Sequence, residues 1–425
     1  MSRRLQHLPQ AVVRARSGLS TALRRRVRTV RARQARHELA VPAAGVPAAA
    51  LADPRVADLA FRGGYLIRSA ASSTVPPGDG WTAHTIADRV YHVRTPMVSA
   101  ATKAGGTVVL LGHPVDVDTD TADAQLIADR LAAVADTGSG ADPVLEGASG
   151  LGGRWTLVLH QPDGSLTVLP DALVSQPVLF SADGTVIASH EAFLTDGTHL
   201  PVSSALEVTS SGASTRPYPA TPPDPDVATF EAFRERLVRH VRLLTGAGRP
   251  AVALTAGPSS HAVLAAYLPH RAAEDFTFTY FEPESARHGR GPATDMFRAS
   301  ALAHRLGIPH RVIRAVDPPS GSVFELAYRW AAPHGDAIGA AFARHHLPPD
   351  TVELHSAGAE TGETQSWVAM AASVRDGDLG HRVALPFNDR RLLGMLVHQP
   401  AGQSFVTRLA AELGDQLDDQ VDASS

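Results

Sequence analysis

The sequence predicts an α/β protein with a β-rich N-terminal half and a C-terminal half folded as a doubly wound parallel sheet. Three observations carry that prediction. Residues 106–189 hold short apolar runs broken by turn pairs, Asp163-Gly164 and Asp183-Gly184 among them, and Asp-Gly between apolar runs is a strong hairpin signal. From residue 228 onward, amphipathic stretches alternate with short apolar runs, the pattern of strand–helix–strand units and hence of parallel pairing. Between the halves, residues 214–227 carry five prolines in fourteen positions, which argues against a helix or a central strand and marks a linker.

The elements follow in chain order. Residues 1–40 contain eleven arginines and one acid, Glu38, in a protein whose net charge is −4. Leu19, Leu23, Val27 and Val30 recur among them at helical spacing. Two readings stand side by side: a helix that contacts anionic lipid, polyphosphate or protein, and a solvated tail. The composition also suits a transit peptide, but lacks the apolar core of a secretory signal. In the N-terminal half, "GTVVLLGH" reads as a buried strand, and residues 122–138 as a helix with Leu126, Ile127, Leu131 and Val134 on its packed face. Past the linker, a helix presents Phe230, Phe233, Leu237, Val241 and Leu244 inward and ends at glycines. "PAVALTAG" is then a strand, "SSHAVLAAYL" a helix, "FTFTYF" a strand, "TDMFRASALAHRLG" a helix and "HRVIRAV" a strand. In such sheets ligands bind at the carboxyl ends of strands, which singles out the loop at residues 254–260.

Composition removes several chemistries. The 425 residues include no cysteine, so disulfides, thiolate metal sites and cysteine nucleophiles are excluded. The one lysine, Lys103, leaves none for catalysis in the C-terminal half. No apolar run approaches the roughly 18 residues of a membrane span. This points to a cytoplasmic protein, held peripherally at a membrane if the N-terminal segment binds lipid. No basic patch interleaved with aromatics suggests a specific nucleic-acid partner. His334, His345, His346 and His355, with Asp336, match no zinc spacing.

Eight short motifs in order resemble the asparagine synthetases and their β-lactam synthetase relatives, over roughly residues 60–400. In the N-terminal half they are Gly112-His113, "LGGRW" at 151–155, Asp171, "QPVLF" at 176–180 and Ala188-Ser189. In the C-terminal half, "LTAGPSS" at 254–260 lies where the family has Leu-Ser-Gly-Gly-x-Asp-Ser. "DMFRASALAHRLGIPH" at 295–310 and "LPFNDRRL" at 385–392 match later segments. The resemblance implies an Ntn-hydrolase-like αββα domain at 60–210 and an ATP-pyrophosphatase domain of the adenine nucleotide α-hydrolase-like type at 228–410. An Arg-rich extension at 1–50, a linker at 211–227 and an acidic tail at 411–425 complete the division.

The resemblance also says what is missing. The family's glutaminase uses a cysteine nucleophile, and this chain has none. Family ATP loops offer amides, hydroxyls and a glycine pair to the pyrophosphate, with an Asp for Mg²⁺. Here Thr255, Gly257 and Ser260 keep the hydroxyls and one glycine, Ser259 stands at the Asp position, and Pro258 removes a donor. On that reading Thr255, Gly257, Ser259 and Ser260 bind nucleotide and Glu360 is the remaining metal ligand, with ATP and Mg²⁺ as the cofactors. The plainer reading of the loop is a strand–turn–helix capped by Ser259. Arg390 and Arg391 follow the Pro-Phe segment and could stabilise phosphate. Two functions result: an asparagine synthetase-like protein with degraded catalytic motifs, non-catalytic or weakly active, and an ATP-dependent ligase that adenylates a carboxylate and joins it to ammonia or an amine.

Overall fold

The structure is a computed structural model that describes residues 48–138, 140–194, 196–218, 228–246, 248–281, 292–332, 337–359 and 378–413. Residues 1–47, with the amphipathic arginine-rich pattern, lie outside these, as do Glu360, residues 219–227 of the proline-rich stretch, His334, Asp336 and residues 414–425 of the acidic tail. All three sheets belong to one unit, Pro47–Ser425.

Helix α1 (Pro54–Ala60) is capped by the Asp53 carboxylate, which accepts from Arg55 N–H. Strands β1 (Tyr65–Ser69), β2 (Thr82–Ile86), β3 (Arg89–Val93), β4 (Met97–Ala101) and β5 (Thr107–Asp116) follow. Helices α2 (Ala124–Ala135) and α3 (Asp142–Ala148) precede β6 (Leu151–His160) and β7 (Leu166–Pro170). The half closes with β8 (Leu179–Phe180), β9 (Val186–Ala188), β10 (Thr198–His199), β11 (Ser204–Thr209) and β12 (Gly212–Pro217). They form two antiparallel six-stranded sheets, β10-β8-β9-β1-β3-β2 and β12-β11-β7-β6-β5-β4.

The sheets stack face to face over Tyr65, Tyr91, Leu111, Val158, Val168 and Ile187. The second sheet's outer face carries α2 and α3 through Ile127, Leu131, Leu145 and Trp155. Leu126, expected to be packed, is exposed instead: Ile127 and Leu131 define the buried stripe. Both Asp-Gly pairs form turns, with Gly164 and Gly184 at positive φ. Residues 212–217, within the stretch read as linker, form β12. The proline there is tolerated because β12 is an edge strand and Pro217 its last residue.

The second half contains α4 (Phe230–Thr245), β13 (Arg249–Ala253), α5 (Pro258–Tyr267), β14 (Phe276–Phe281), α6 (Pro292–Arg305) and β15 (His310–Arg314). Helices α7 (Val323–Ala331) and α8 (Ile338–His345), strands β16 (Thr351–Leu354) and β17 (Arg382–Ala384) and helix α9 (Arg390–His398) complete it. Its five strands are parallel in the order β15-β14-β13-β16-β17. Helices α4, α5, α6 and α9 share one core with Val252, Leu254 and Leu354 of the sheet. Ala251, Phe276 and Phe278 cover the opposite face with Leu347. Helix α7 leaves this half altogether: Phe324, Tyr328 and Ala331 pack with α1 on the first antiparallel sheet. The layers there run helix, sheet, sheet, helix.

The halves meet along a polar seam. Gly153 N–H donates to His240 Nε2 at 3.0 Å, and His240 Nδ1–H donates to the Pro386 carbonyl at 2.8 Å. A Cβ on Gly152 would stand 2.3 Å from His240 Nε2, so the glycine pair of "LGGRW" makes room for the imidazole. Arg154 donates to both Asp378 oxygens, at 2.6 and 2.7 Å, and to Ser175 Oγ at 3.2 Å. Removing a buried pair's partner strands the other charge. Asp378→Ala therefore lowers unfolding stability by about 2–4 kcal/mol in urea titrations, and a change below 0.5 kcal/mol would show the pair to be dispensable.

Burial also depresses several histidines, three of them far from the usual imidazole range. His240 and His160 fall to about 4 and His113 to about 3, each chiefly through desolvation. The unfolded chain protonates these imidazoles below about pH 6.5, whereas the folded protein resists until about pH 4. Unfolding thus takes up protons in that window, and stability falls as pH falls from 6.5 toward 4. The slope is up to about 1.4 kcal/mol per pH unit for each imidazole. Urea unfolding at pH 7 and pH 5 measures the drop; equal stabilities would contradict it.

Candidate functional site

Strand order in the parallel sheet reverses between β13 and β16. At such a reversal the crossovers before and after it leave on opposite faces, and a crevice opens at the carboxyl ends. Two loops lie there: residues 254–257 after β13 and 355–359 after β16.

Leu254 extends β13 by donating its N–H to Phe278 O at 2.8 Å, while the Thr279 hydroxyl donates to Leu254 O at 2.5 Å. The chain then turns into α5, a ten-residue helix with Gly257 as N-cap and Pro258 in its first turn. Proline fits there because that N–H has no helical partner, but it also withdraws a donor from any anion. Ser259 is therefore inside the helix rather than its cap, and no side chain caps α5.

The structure brings three of the four predicted loop residues into one closed ring. Thr255 N–H donates to Ser260 Oγ at 3.1 Å, the two hydroxyl oxygens lie 3.1 Å apart, and Gly257 N–H donates to Thr255 Oγ1 at 3.3 Å. Ser260 Oγ is also within 3.2 Å of Thr255 O and 3.1 Å of Gly257 O. Its single proton serves these acceptors from a fully buried position. His261 adds a strut: Nε2–H donates to Thr255 O at 3.0 Å, and desolvation lowers its pKa. The sequence reading missed this histidine, although it directly follows the serines. Ser259 stands apart from the ring, half-buried and without a partner among the described residues. Gly257 has an ordinary φ of −86° and only Thr255 Oγ1, 3.6 Å away, near its missing Cβ. Neither backbone nor crowding demands glycine; its effect is to leave the approach open.

The loop after β16 is fixed differently. His355 N–H donates to Ala384 O at 3.0 Å, and its Nδ1 accepts from Ala357 N–H at 3.2 Å. Gly358 has φ +94°, and a Cβ there would stand 2.8 Å from Leu173 Cδ1 and 3.3 Å from Phe387 Cβ. Glycine is required on both counts, which ties this loop to the N-terminal half.

Among the described residues of the two loops, the chemistry at the crevice consists of hydroxyls, amides and imidazole. Residues 254–261 include no carboxylate. Among the described residues, no group of three or more His, Asp or Glu is arranged to hold a metal ion. These residues fit a phosphate group better than a divalent cation.

The two arginines read as phosphate stabilisers are engaged elsewhere. Arg390 is buried, donates to Pro170 O at 2.8 Å and lies 5.7 Å from the Trp155 ring. Arg391 binds Asp118 at 2.8 Å. The Asp116–Asp118–Asp120 turn, which the sequence reading passed over, looks like a cation loop but is neutralised by arginines. Arg130 binds Asp116 at 2.9 Å, Arg236 binds Asp118 at 2.7 Å and Arg242 binds Asp120. His345 and His346 donate to or face backbone carbonyls of Leu379 and Phe342.

Comparison of the chain with protein-family models and with curated proteins gives no match. No helix among the described residues is long and apolar enough to cross a membrane.

Ser260 and Ser259 separate the loop's structure from its surface. Ser260→Ala removes the buried centre of the ring and lowers stability by about 1–3 kcal/mol, whereas Ser259→Ala stays within about 0.5 kcal/mol. Paired thermal and urea unfolding checks this, and equal effects would refute the ring.

Proposed function

We propose that this chain is an asparagine synthetase-like protein that binds a nucleotide phosphate without productive catalysis. On this reading the helix–sheet–sheet–helix half is an Ntn-hydrolase-like domain without its nucleophile, and the parallel half is an ATP-pyrophosphatase-like domain. The order of motifs in the sequence supports it, together with a strand order that reverses beside the loop at 254–260.

One observation carries the proposal: the Thr255 and Ser260 hydroxyls are spent on each other and residues 254–261 hold no acid. The Ser259 and Ser260 N–H groups of α5, uncapped by any side chain, remain to receive a phosphate with help from the helix dipole. Binding by two amides and a hydroxyl is weak and needs no cation. Cleaving a triphosphate requires charge neutralisation on the leaving pyrophosphate, and the described loop supplies none.

The alternative is an ATP-dependent ligase joining a carboxylate to ammonia or an amine, favoured by the same uncapped helix and by Glu360 close after the second loop. Calorimetric titration with ATP, with and without Mg²⁺, separates the readings. The expected Kd is in the 0.1–1 mM range, on the order of −4 to −5.5 kcal/mol, and Mg²⁺ changes it less than about threefold (0.7 kcal/mol). No binding at 5 mM would end the nucleotide reading. Pyrophosphate release with any of a panel of carboxylates would establish the ligase.

A further inference from the structure

The outer edge of the parallel sheet is open. Strand β15 ends the sheet and pairs only with β14 among the described residues. Pro309 O accepts from Thr277 N–H at 2.9 Å, and Ala315 N–H donates to Phe281 O at 2.9 Å. The odd-numbered residues of the strand therefore turn their peptide groups inward. Alternation along a strand then points the N–H and C=O groups of His310, Val312 and Arg314 outward. No described residue bonds to them. Solvent reaches this rim: Arg311, Val312 and Arg314 are exposed, Val312 by 44%.

Proteins shield such edges with a bulge, a proline, a covering element or charge. Over His310–Arg314, β15 has no proline, and its register with β14 is unbroken by a bulge. What it has is charge of one sign. Residues 295–317 hold four arginines, Arg298, Arg305, Arg311 and Arg314, against Asp295 and Asp317. None of the four arginines forms an ion pair among the described residues. Arg311 is steadied by the Phe276 ring, 4.2 Å from its centroid. A second copy pairing edge to edge would bring Arg311 and Arg314 of both chains onto one ladder, and like charges across a ladder oppose pairing. An acidic strand has the complementary charge.

We propose that β15 is a docking edge for an extended acidic segment of a partner protein, which adds a sixth strand to the parallel sheet. The peptide groups of His310, Val312 and Arg314 supply the ladder, and main-chain bonds of this kind carry affinity whatever the partner's side chains. Selection comes from the side chains. Arg311 and Arg314 lie on opposite faces of the strand, so each meets a carboxylate on its own face of the incoming segment. Val312 supplies an apolar contact. The proposal does not depend on nucleotide binding at the crevice.

The test is fluorescence polarisation of the full-length protein with a labelled peptide, Glu-Glu-Val-Glu-Val-Glu-Glu, at low ionic strength. It binds saturably with Kd at or below about 1 mM. Its fully N-methylated form, which keeps every carboxylate but has no amide donor, binds tenfold or more weakly. Val312→Pro removes only an outward N–H, a change that edge strands tolerate. That variant and the double variant Arg311→Gln/Arg314→Gln each weaken binding fivefold or more with the unfolding midpoint in place. The methylated peptide tests the rim on the unaltered protein, so the result does not hang on how the proline variant folds. Capture by the arginine-rich residues 1–40 would be indifferent to methylation and to Val312→Pro, and that indifference overturns the proposal. So does absence of saturable binding up to 5 mM. Dimerisation abolished by Val312→Pro would make a second copy the occupant, and binding seen only after removal of residues 414–425 would make it the chain's own acidic tail; either result overturns the proposal.

Discussion

The architecture depends on strand β6 serving two masters. All ten of its residues are buried. Its C-terminal part, Thr156 to Leu159, pairs with β5 and β7 inside the second sheet. Its N-terminal part, Gly152 to Arg154, is where the parallel half docks. Asp389 bridges to Gly152, Asn388 Nδ2 donates to Gly153 O at 2.7 Å, and Asn388 Oδ1 accepts from Leu173 N–H at 2.9 Å. Each of these buried groups has a partner from the other half, the condition under which polar groups are buried at low cost. A side chain at 152 would expel His240 and break the chain of bonds that ends at Pro386.

That join absorbs much of the molecule's charge. Arg154, Arg236, Arg390 and Arg391 all cross it: Arg154 to Asp378, Arg236 and Arg391 to Asp118, and Arg390 to Pro170 O. Arginine suits this use because its planar fork satisfies two acceptors at once. On the far side of the parallel sheet, Arg344 likewise grips both oxygens of Glu353, whose carboxyl His381 Nε2 also meets at 2.7 Å. Glu353 is held well below the usual carboxylate range, against the opposing effect of burial, by Arg344 and His381. Charges committed to assembly in this way are not available for catalysis. The described residues of the two loops at the strand reversal, 254–257 and 355–359, carry no acid, lysine or arginine.

The elements of the fold were legible where periodicity reports burial directly. Phe230, Phe233, Leu237, Val241 and Leu244 recur every three to four residues and all face one core. "FTFTYF" and "GTVVLLGH" are too short and apolar to be anything but interior strands. Periodicity misled where one residue more or less would satisfy it: Leu126 fits the stripe of α2 as well as Ile127 does, but the helix packs on the second sheet through Ile127 and Leu131 and leaves Leu126 exposed. Proline counting misled at 214–217, because an edge strand needs only one of its two hydrogen-bonding rims.

The loop at the end of β13 was placed by sequence, since a strand signature, a glycine and a helix signature in succession have few other solutions. The sequence by itself determined that α/β character, the parallel pairing, the absence of thiols and of any lysine in the C-terminal half, and the lack of a carboxylate in residues 254–261. Only the tertiary structure decided that Thr255 and Ser260 turn toward each other, that Gly257 rather than Ser259 begins the helix, and that α7 crosses to cover the other half. The difference is physical: hydrophobic periodicity is a local property of the chain. The partner a hydroxyl, guanidinium or helix face finds is set by residues tens to hundreds of positions away.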